Sequence, residues 1–277
     1  MPSTVPTHPV AVLWLKLWRP DRFDGVALVM GSIAPDVGYT LHGYVTVHSH
    51  RWHAPLWWGL PVALVGTRLV RWAAPTVAAH LPAGGWLALR DYGVLGRVRH
   101  PLTVTALSAV LGAISHLVWD LFTHPTIHLL RHPSVLGTPW WYLLVRISDA
   151  LGVVVAVGLA VSVGRARLLC RWHGPQPDMT PRPVLFWSAV GTVFAAGLAA
   201  LPALPGGVIP DQLVRAMLVG GLALLAGSAL VRMRASRAAG RRRDVRARRE
   251  CREPAARVRV PAPAHRRPRT YRRDAQG

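Results

Sequence analysis

Ser115-His116-Leu117-Val118-Trp119-Asp120-Leu121-Phe122-Thr123-His124 closes an otherwise apolar run that starts near residue 102. Three potential metal ligands, His116, Asp120 and His124, recur here at intervals of four. At about 100° per residue each is turned about 40° from the one before, so a helix carries all three on one stripe. An Asp in a membrane-length helix costs roughly 2.5–3.5 kcal/mol if it faces lipid, so Asp120 is expected to face a partner. The segment thus implies a fold of membrane helices, one of which turns a polar stripe inward.

Composition agrees. The 277 residues are 51% hydrophobic and only 16% charged, with a mean hydropathy of +0.27, outside the soluble globular norm. The formal charge of +21 is unevenly spread: residues 232–277 hold 17 arginines against Asp244, Glu250, Glu253 and Asp274, a net +13, leaving +8 for the 231 residues before them. Cys170 and Cys251 lie far apart in Arg-rich segments, so neither a disulfide framework nor a cysteine zinc site is expected. The N-terminus lacks a basic region and its short apolar stretch is interrupted by His8 and Pro9, which argues against a cleavable signal peptide.

Four apolar segments read as spanning helices: 102–121, 143–163, 183–203 and 212–231. A shorter fifth, 55–71, ends in Arg68 and Arg71, which can snorkel to the interface. The stretches 9–18 and 24–35 each cover roughly 15–18 Å, about half a hydrocarbon core, and read as a hairpin dipping into the membrane. The expected fold class is all-α: a multi-pass transmembrane helical bundle of about five spanning helices plus a short N-terminal helical hairpin. Three regions follow: a membrane domain at 1–164 carrying the His/Asp set, two further transmembrane helices at 165–231, and an Arg-rich cytoplasmic tail at 232–277, disordered or loosely helical.

Charge assigns the sides. Arg68, Arg71, Arg90, Arg97 and Arg99 fall in one loop region, Arg165, Arg167, Arg171 and Arg182 in another, and the Arg tail follows the last helix. The opposite loops, 122–142 and 204–211, hold only Arg131 and Asp211. By the positive-inside rule the Arg-rich loops and tail are cytoplasmic. Lys16, Arg19 and Arg22 mark the inner turn of the short hairpin, so His8, Asp36, residues 48–54 and the 116–124 stripe all come to the outer face. The tail has no aromatic residue except Tyr271 among its arginines. A solvated topogenic tail beside anionic lipid is favoured over nucleic-acid binding. Membrane lipids are the expected partners, and no specific nucleic acid is.

The candidate metal ligands are His8, Asp36, His50, His116, Asp120 and His124, with His48 and His53 nearby. Imidazole and carboxylate suit zinc and other first-row divalent ions, whereas magnesium would want more oxygen. His116 and Asp120 are about 6 Å apart along the axis, an easy pair for one ion, but His124 is about 12 Å from His116. Either Asp120 bridges two ions, or the helix breaks at Thr123-His124-Pro125 and His124 folds inward, since Pro125 disfavours helical angles at His124. Asp36 or Asp120 could instead serve as catalytic base. Pro9 at a first helical position puts His8 at a helix start, and Pro35-Asp36 presents its carboxylate at a helix exit. Taken singly, His42, His48, His128 and His132 read as interfacial residues beside the aromatic belt. The chain has no His-Glu-x-x-His, no Gly-x-Ser-x-Gly and no Gly-rich phosphate loop. Ser115 and His116 are adjacent, so a helix cannot make them a nucleophile–base pair.

Four blocks carry a family resemblance: Met1-Pro-Ser-Thr-Val-Pro-Thr-His8-Pro, Gly31-Ser-Ile-Ala-Pro-Asp36, Ser49-His50 before an apolar helix, and Gly112-Ala-Ile-Ser-His116-Leu-Val-Trp-Asp120-Leu-Phe-Thr-His124. Spread over residues 1–165, they resemble the bacterial multi-pass membrane family known as domain of unknown function 4184. That family is in turn distantly similar to inner-membrane metal-dependent hydrolases. The resemblance implies a divalent metal, zinc first, on His8, Asp36, His50, His116, Asp120 and His124. Ser3 and Thr7 stand where the family usually has Phe and Ser, and His53 competes with His50 for its place. The expected function is metal-dependent hydrolysis of a membrane-associated ester or phosphoester. The rivals are a transporter or proton relay using the same side chains, and a scaffold in which a His–Asp pair locks helices together.

Overall fold

A computed structural model describes residues 7–123, 134–135, 138–206 and 208–252. Helices α1 (Thr7–Trp18) and α2 (Gly25–Val37) form the N-terminal hairpin. A π turn at Pro55–Gly59 leads into α3 (Leu60–His80), and a 3-10 segment at Leu89–Gly96 precedes α4 (Leu102–Thr123). Two-residue strands β1 (Ser134–Val135) and β2 (Thr138–Pro139) pair antiparallel, Ser134 opposite Pro139. Then come α5 (Trp140–Arg165), the short α6 (Leu168–His173), α7 (Pro183–Ala200) and α8 (Ile209–Arg252).

Among the described residues, four helical segments are long and apolar enough to cross a membrane: Leu102–Phe122, Val145–Arg165, Pro183–Ala203 and Asp211–Gly240. The expected fifth, 55–71, is not among them. It belongs to α3, which runs 21 residues to His80 but carries Arg68 and Arg71 and is less apolar than the four. Large apolar side chains such as Val154, Val157, Val184 and Trp187 stand exposed on α5 and α7, as lipid-facing surfaces require and a water-soluble fold would not tolerate.

The chain divides into two compact units, Met1–Arg234 and Ala235–Gly277. Beyond residue 232, α8 continues helical to Arg252. Ala and Arg are strong helix formers, and that local preference extends the helix past its apolar part.

Small residues let α2 and α4 meet closely. Ala27, Ala34, Ala63 and Ala109 are fully buried together. A Cβ at Gly31 would collide with the Ala109 carbonyl, and one at Gly112 with the Leu28 carbonyl. Without a hydrophobic force between helices in lipid, such backbone approach supplies the packing.

Polar groups occupy both ends of this contact. At the start of α2, Asp24 caps the helix by accepting from the Ala27 amide (3.3 Å), Arg71 Nη2 (2.7 Å) and Thr105 Oγ1 (2.8 Å), while its own N–H donates to Ser108 Oγ (3.0 Å). Lys16 donates to the carbonyls of Pro20 (2.5 Å) and Phe23 (3.0 Å) at the same end. Asp36 lies twelve residues later, about 18 Å along the axis.

Candidate metal centre

The last turn of α2 is shaped by Pro35, which cannot donate to the Gly31 carbonyl, and gives way to 3-10 structure over Gly38–Leu41. Asp36 therefore stands at a helix exit, as its sequence context suggested. The segment that follows returns Ser49 and His50 against it. Gly38 makes this possible: a Cβ there would strike Ser49 Oγ. On the other side, Trp58 Nε1 donates to the Ala34 carbonyl (2.9 Å), tying the entry of α3 to the same turn.

Into this corner α4 brings His116 and Asp120, and the first turn of α1 brings His8. His8 and His116 are almost completely buried, Asp36 and Asp120 nearly so, and His50 is the most open of the five at 29% side-chain exposure. The His8 and His116 rings stack with centroids 3.9 Å apart. His116 Nε2 lies 3.2 Å from Asp120 Oδ2, 3.5 Å from Asp36 Oδ1 and 3.3 Å from His50 Nε2. His50 Nε2 is 3.5 Å from both Asp36 Oδ1 and Asp120 Oδ2. Asp120 turns its other oxygen, Oδ1, toward His8 Nε2 at 3.7 Å.

The proton on His116 is assigned by its neighbour. Nδ1 lies 2.7 Å from the Ser32 carbonyl, an obligatory acceptor, so Nδ1 donates and Nε2 is turned into the cluster. Ser49 Oγ, 3.1 Å from His50 Nδ1, can accept in the same way. Such outer contacts are the ones that orient imidazole ligands. Two imidazole nitrogens and two carboxylate oxygens then converge, and lone pairs at this spacing repel unless a proton or cation lies among them.

The spacing fits an ion. A tetrahedral zinc with bonds of about 2.0–2.1 Å places its ligand atoms roughly 3.3–3.4 Å apart. The contacts of His50 Nε2 and His116 Nε2 with each other, with Asp36 Oδ1 and with Asp120 Oδ2 are 3.2–3.5 Å, and His50, His116 and Asp120 form one group of three with ligand atoms mutually within 4.8 Å. His8, Asp36 and His116 form a second group of three with ligand atoms mutually within 4.8 Å. The donor chemistry and the spacing both suit a first-row divalent cation.

Five of the six sequence-read candidates thus come together, and His124 lies outside the described residues. His53 takes a different role, accepting from Trp57 Nε1 at 3.0 Å, and His48 is exposed, so His50 is the histidine of this segment that joins the cluster.

Sequence reasoning missed other polar residues. Tyr39 packs near His50, ring centroids 5.1 Å apart. Burial, with the carboxylates of Asp36, Asp120 and Asp211 close by, pushes its phenol up to about 12, so it stays protonated at neutral pH. His42, expected only at the interface, has a specific partner in the buried Asp211, Nδ1 to Oδ2 2.8 Å. Arg215 donates to the carbonyls of His42 (2.5 Å), Thr40 (3.2 Å) and Gly206 (3.3 Å), clamping the start of α8 onto the segment after α2. No spacing rule links residues 42 and 211; the one available signal was a lone Asp at the start of an apolar helix.

The model of a family described as a domain of unknown function (DUF4184) matches residues 1–233. The chain belongs to the DUF4184 family. The match runs beyond the motif-bearing 1–165 and takes in α7 and the apolar part of α8, so the Arg215 clamp lies inside the DUF4184 region as the His/Asp cluster does. No curated protein and no solved structure matches the chain.

Proposed function

We propose that the protein is a metal-dependent hydrolase acting on a membrane-associated ester or phosphoester, with zinc held by His50, His116, Asp36 and Asp120. The reading rests on one observation: Nε2 of His50 and Nε2 of His116, 3.3 Å apart, each lie within 3.2–3.5 Å of a carboxylate oxygen of both Asp36 and Asp120. When bound, such an ion supplies a Lewis acid that activates water and polarises a scissile carbonyl or phosphoryl group.

The protein's own groups do the rest. Ser32 and Ser49 hold the two imidazoles in the required orientation. Asp120 Oδ1, directed at His8 Nε2, is the carboxylate oxygen placed to take up and pass on a proton. Burial on the His8 side excludes water, while the more open His50 side admits substrate. Exposed Trp52 and Trp57 near that opening favour the headgroup level of a bilayer and hence an amphiphilic substrate. The site faces outward and the Arg-rich helix ends face the cytoplasm in this reading, by the positive-inside rule.

The test is elemental analysis of the detergent-purified protein, followed by hydrolysis of chromogenic ester and phosphodiester amphiphiles before and after chelation. About one zinc per chain is expected, absent from His116→Ala, with turnover lost on chelation and regained with zinc. Metal-free wild-type protein would sink the proposal.

A second reading is favoured by the unbroken His8–Asp120–His50–Asp36 series, whose neighbours lie 3.5–3.7 Å apart. Such a series can relay protons across part of the membrane. It predicts pH-driven flux in proteoliposomes that chelator leaves unchanged and Asp120→Asn abolishes.

A further inference from the structure

The Arg-rich end of the molecule contains a cavity of about 480 Å³ that shares no residue with the metal centre. Its walls come from the loop after α3, the 3-10 segment at Leu89–Gly96, and the junction of α5 with α6. Three arginines line it, Arg90, Arg165 and Arg167, against one acidic residue, Asp91. Asp91 is buried and held by Arg167 through Nε (2.5 Å) and Nη2 (2.7 Å). Its charge is already matched, and Arg90 and Arg165 leave the cavity with an excess of two positive charges.

Backbone geometry sets this cavity apart. Among the described residues, Ala88 (φ 42°) and Arg167 (φ 50°) are the only non-glycine residues in the left-handed region, and both line it. Such conformations are costly and gather at binding sites, where surrounding structure enforces them. Gly84 and Gly85, at φ +86° and +80°, leave open space where a Cβ would stand, so a ligand can approach their backbone directly.

Depth identifies the kind of ligand. Arg165 is the last residue of both α5 and its candidate span, and its guanidinium lies over the ring of Trp86, 5.9 Å from the centroid. Trp86 is 73% exposed, as an interfacial aromatic is. A span-ending Arg beside an exposed Trp matches the headgroup level of a bilayer, and guanidinium matches phosphate through paired N–H donors. We propose that this cavity binds a phosphate group of net negative charge, not one neutralised by an attached cation, with Arg90 and Arg165 as its principal ligands and the Asp91–Arg167 pair as its rigid wall. An anionic phospholipid headgroup and a soluble phosphate share this chemistry.

The experiment uses the full chain purified in uncharged detergent, with short-chain phosphatidylglycerol, short-chain phosphatidylcholine and inorganic phosphate as probes. Binding is followed by native mass spectrometry and by protection of Cys170, which lines the cavity, from alkylation in a Cys251→Ser background. Saturable binding of phosphatidylglycerol over phosphatidylcholine is expected, weakened at least tenfold in Arg165→Gln and in Arg90→Gln and unchanged in Arg22→Gln. Arg90 also donates to the Leu81 carbonyl (3.0 Å), so Arg165→Gln is the cleaner variant for folding. Displacement of the lipid by inorganic phosphate identifies the free anion as sufficient; retention of the lipid identifies the headgroup. Equal binding of the two lipids, no saturable binding of any probe, or wild-type affinity in both variants overturns the proposal.

Discussion

Replacing the ligands one at a time gives the metal-centre proposal its sharpest test. Four-ligand structural zinc sites bind with about 10–16 kcal/mol, so an equal share is about 2.5–4 kcal/mol per ligand, or roughly 10²–10³-fold in Kd. His116→Ala, Asp120→Asn, Asp36→Asn and His50→Ala are each expected to weaken zinc by that amount. His116 and Asp120 should lie at the upper end, because they make the shortest His–carboxylate contact in the cluster, 3.2 Å. Ser49→Ala removes only the hydroxyl beside His50 Nδ1 and is expected to cost about 10–100-fold. Arg19→Gln, at the opposite end of the hairpin, should leave affinity unchanged. The assay is competition between the detergent-solubilised protein and a chelating dye, run at several pH values. Protons compete for imidazole ligands, so affinity should fall on acidification. Wild-type affinity in His116→Ala and Asp120→Asn together, or equal losses at Ser49 and Arg19, would refute the ligand assignment.

Three further outcomes follow from the fold. Arg71→Gln strips the buried Asp24 of its cation while Thr105 and the Ala27 amide remain, a loss of about 3–5 kcal/mol that thermal unfolding in detergent should register. Should Arg71→Gln melt with the wild type, the Arg71–Asp24 pair contributes nothing to stability. Gly112→Ala drives a methyl into the Leu28 carbonyl and is expected to cost about 1–3 kcal/mol or more, with Gly221→Ala, which meets open space, as the neutral comparison. For sidedness, Val45→Cys should react with an impermeant maleimide on intact cells and Gly240→Cys only after permeabilisation, both without the native cysteines. Equal labelling of the two would overturn the outward-facing assignment.

Much of this was legible along the chain. The apolar runs and arginine clusters marked the membrane helices, because lipid tolerates few charges and backbone groups there must be satisfied within helices. The helical repeat placed His116 and Asp120 on one stripe, and the cost of a lipid-facing Asp required a partner. α3 was legible as a helix over 55–71 but not in its bounds, since it passes its two arginines and runs from Leu60 to His80, packed against α2 and α4. Beyond residue 232 the lack of apolar periodicity left disorder and loose helix both open, and Ala and Arg sustain a helix locally to Arg252.

What the sequence by itself determined was which histidines and aspartates interrupt the apolar helices and which end of the helices they occupy. Local periodicity and charge act over a few residues, and both can be read in one dimension. Tertiary structure alone decided that His50 rather than His53 joins the cluster, that Ser32 fixes the His116 tautomer, and that His42 pairs with Asp211. Those outcomes depend on ångström-scale approaches between segments up to 169 residues apart, set by glycines at the α2–α4 contact and beside Ser49. Packing of that kind has no period along the chain.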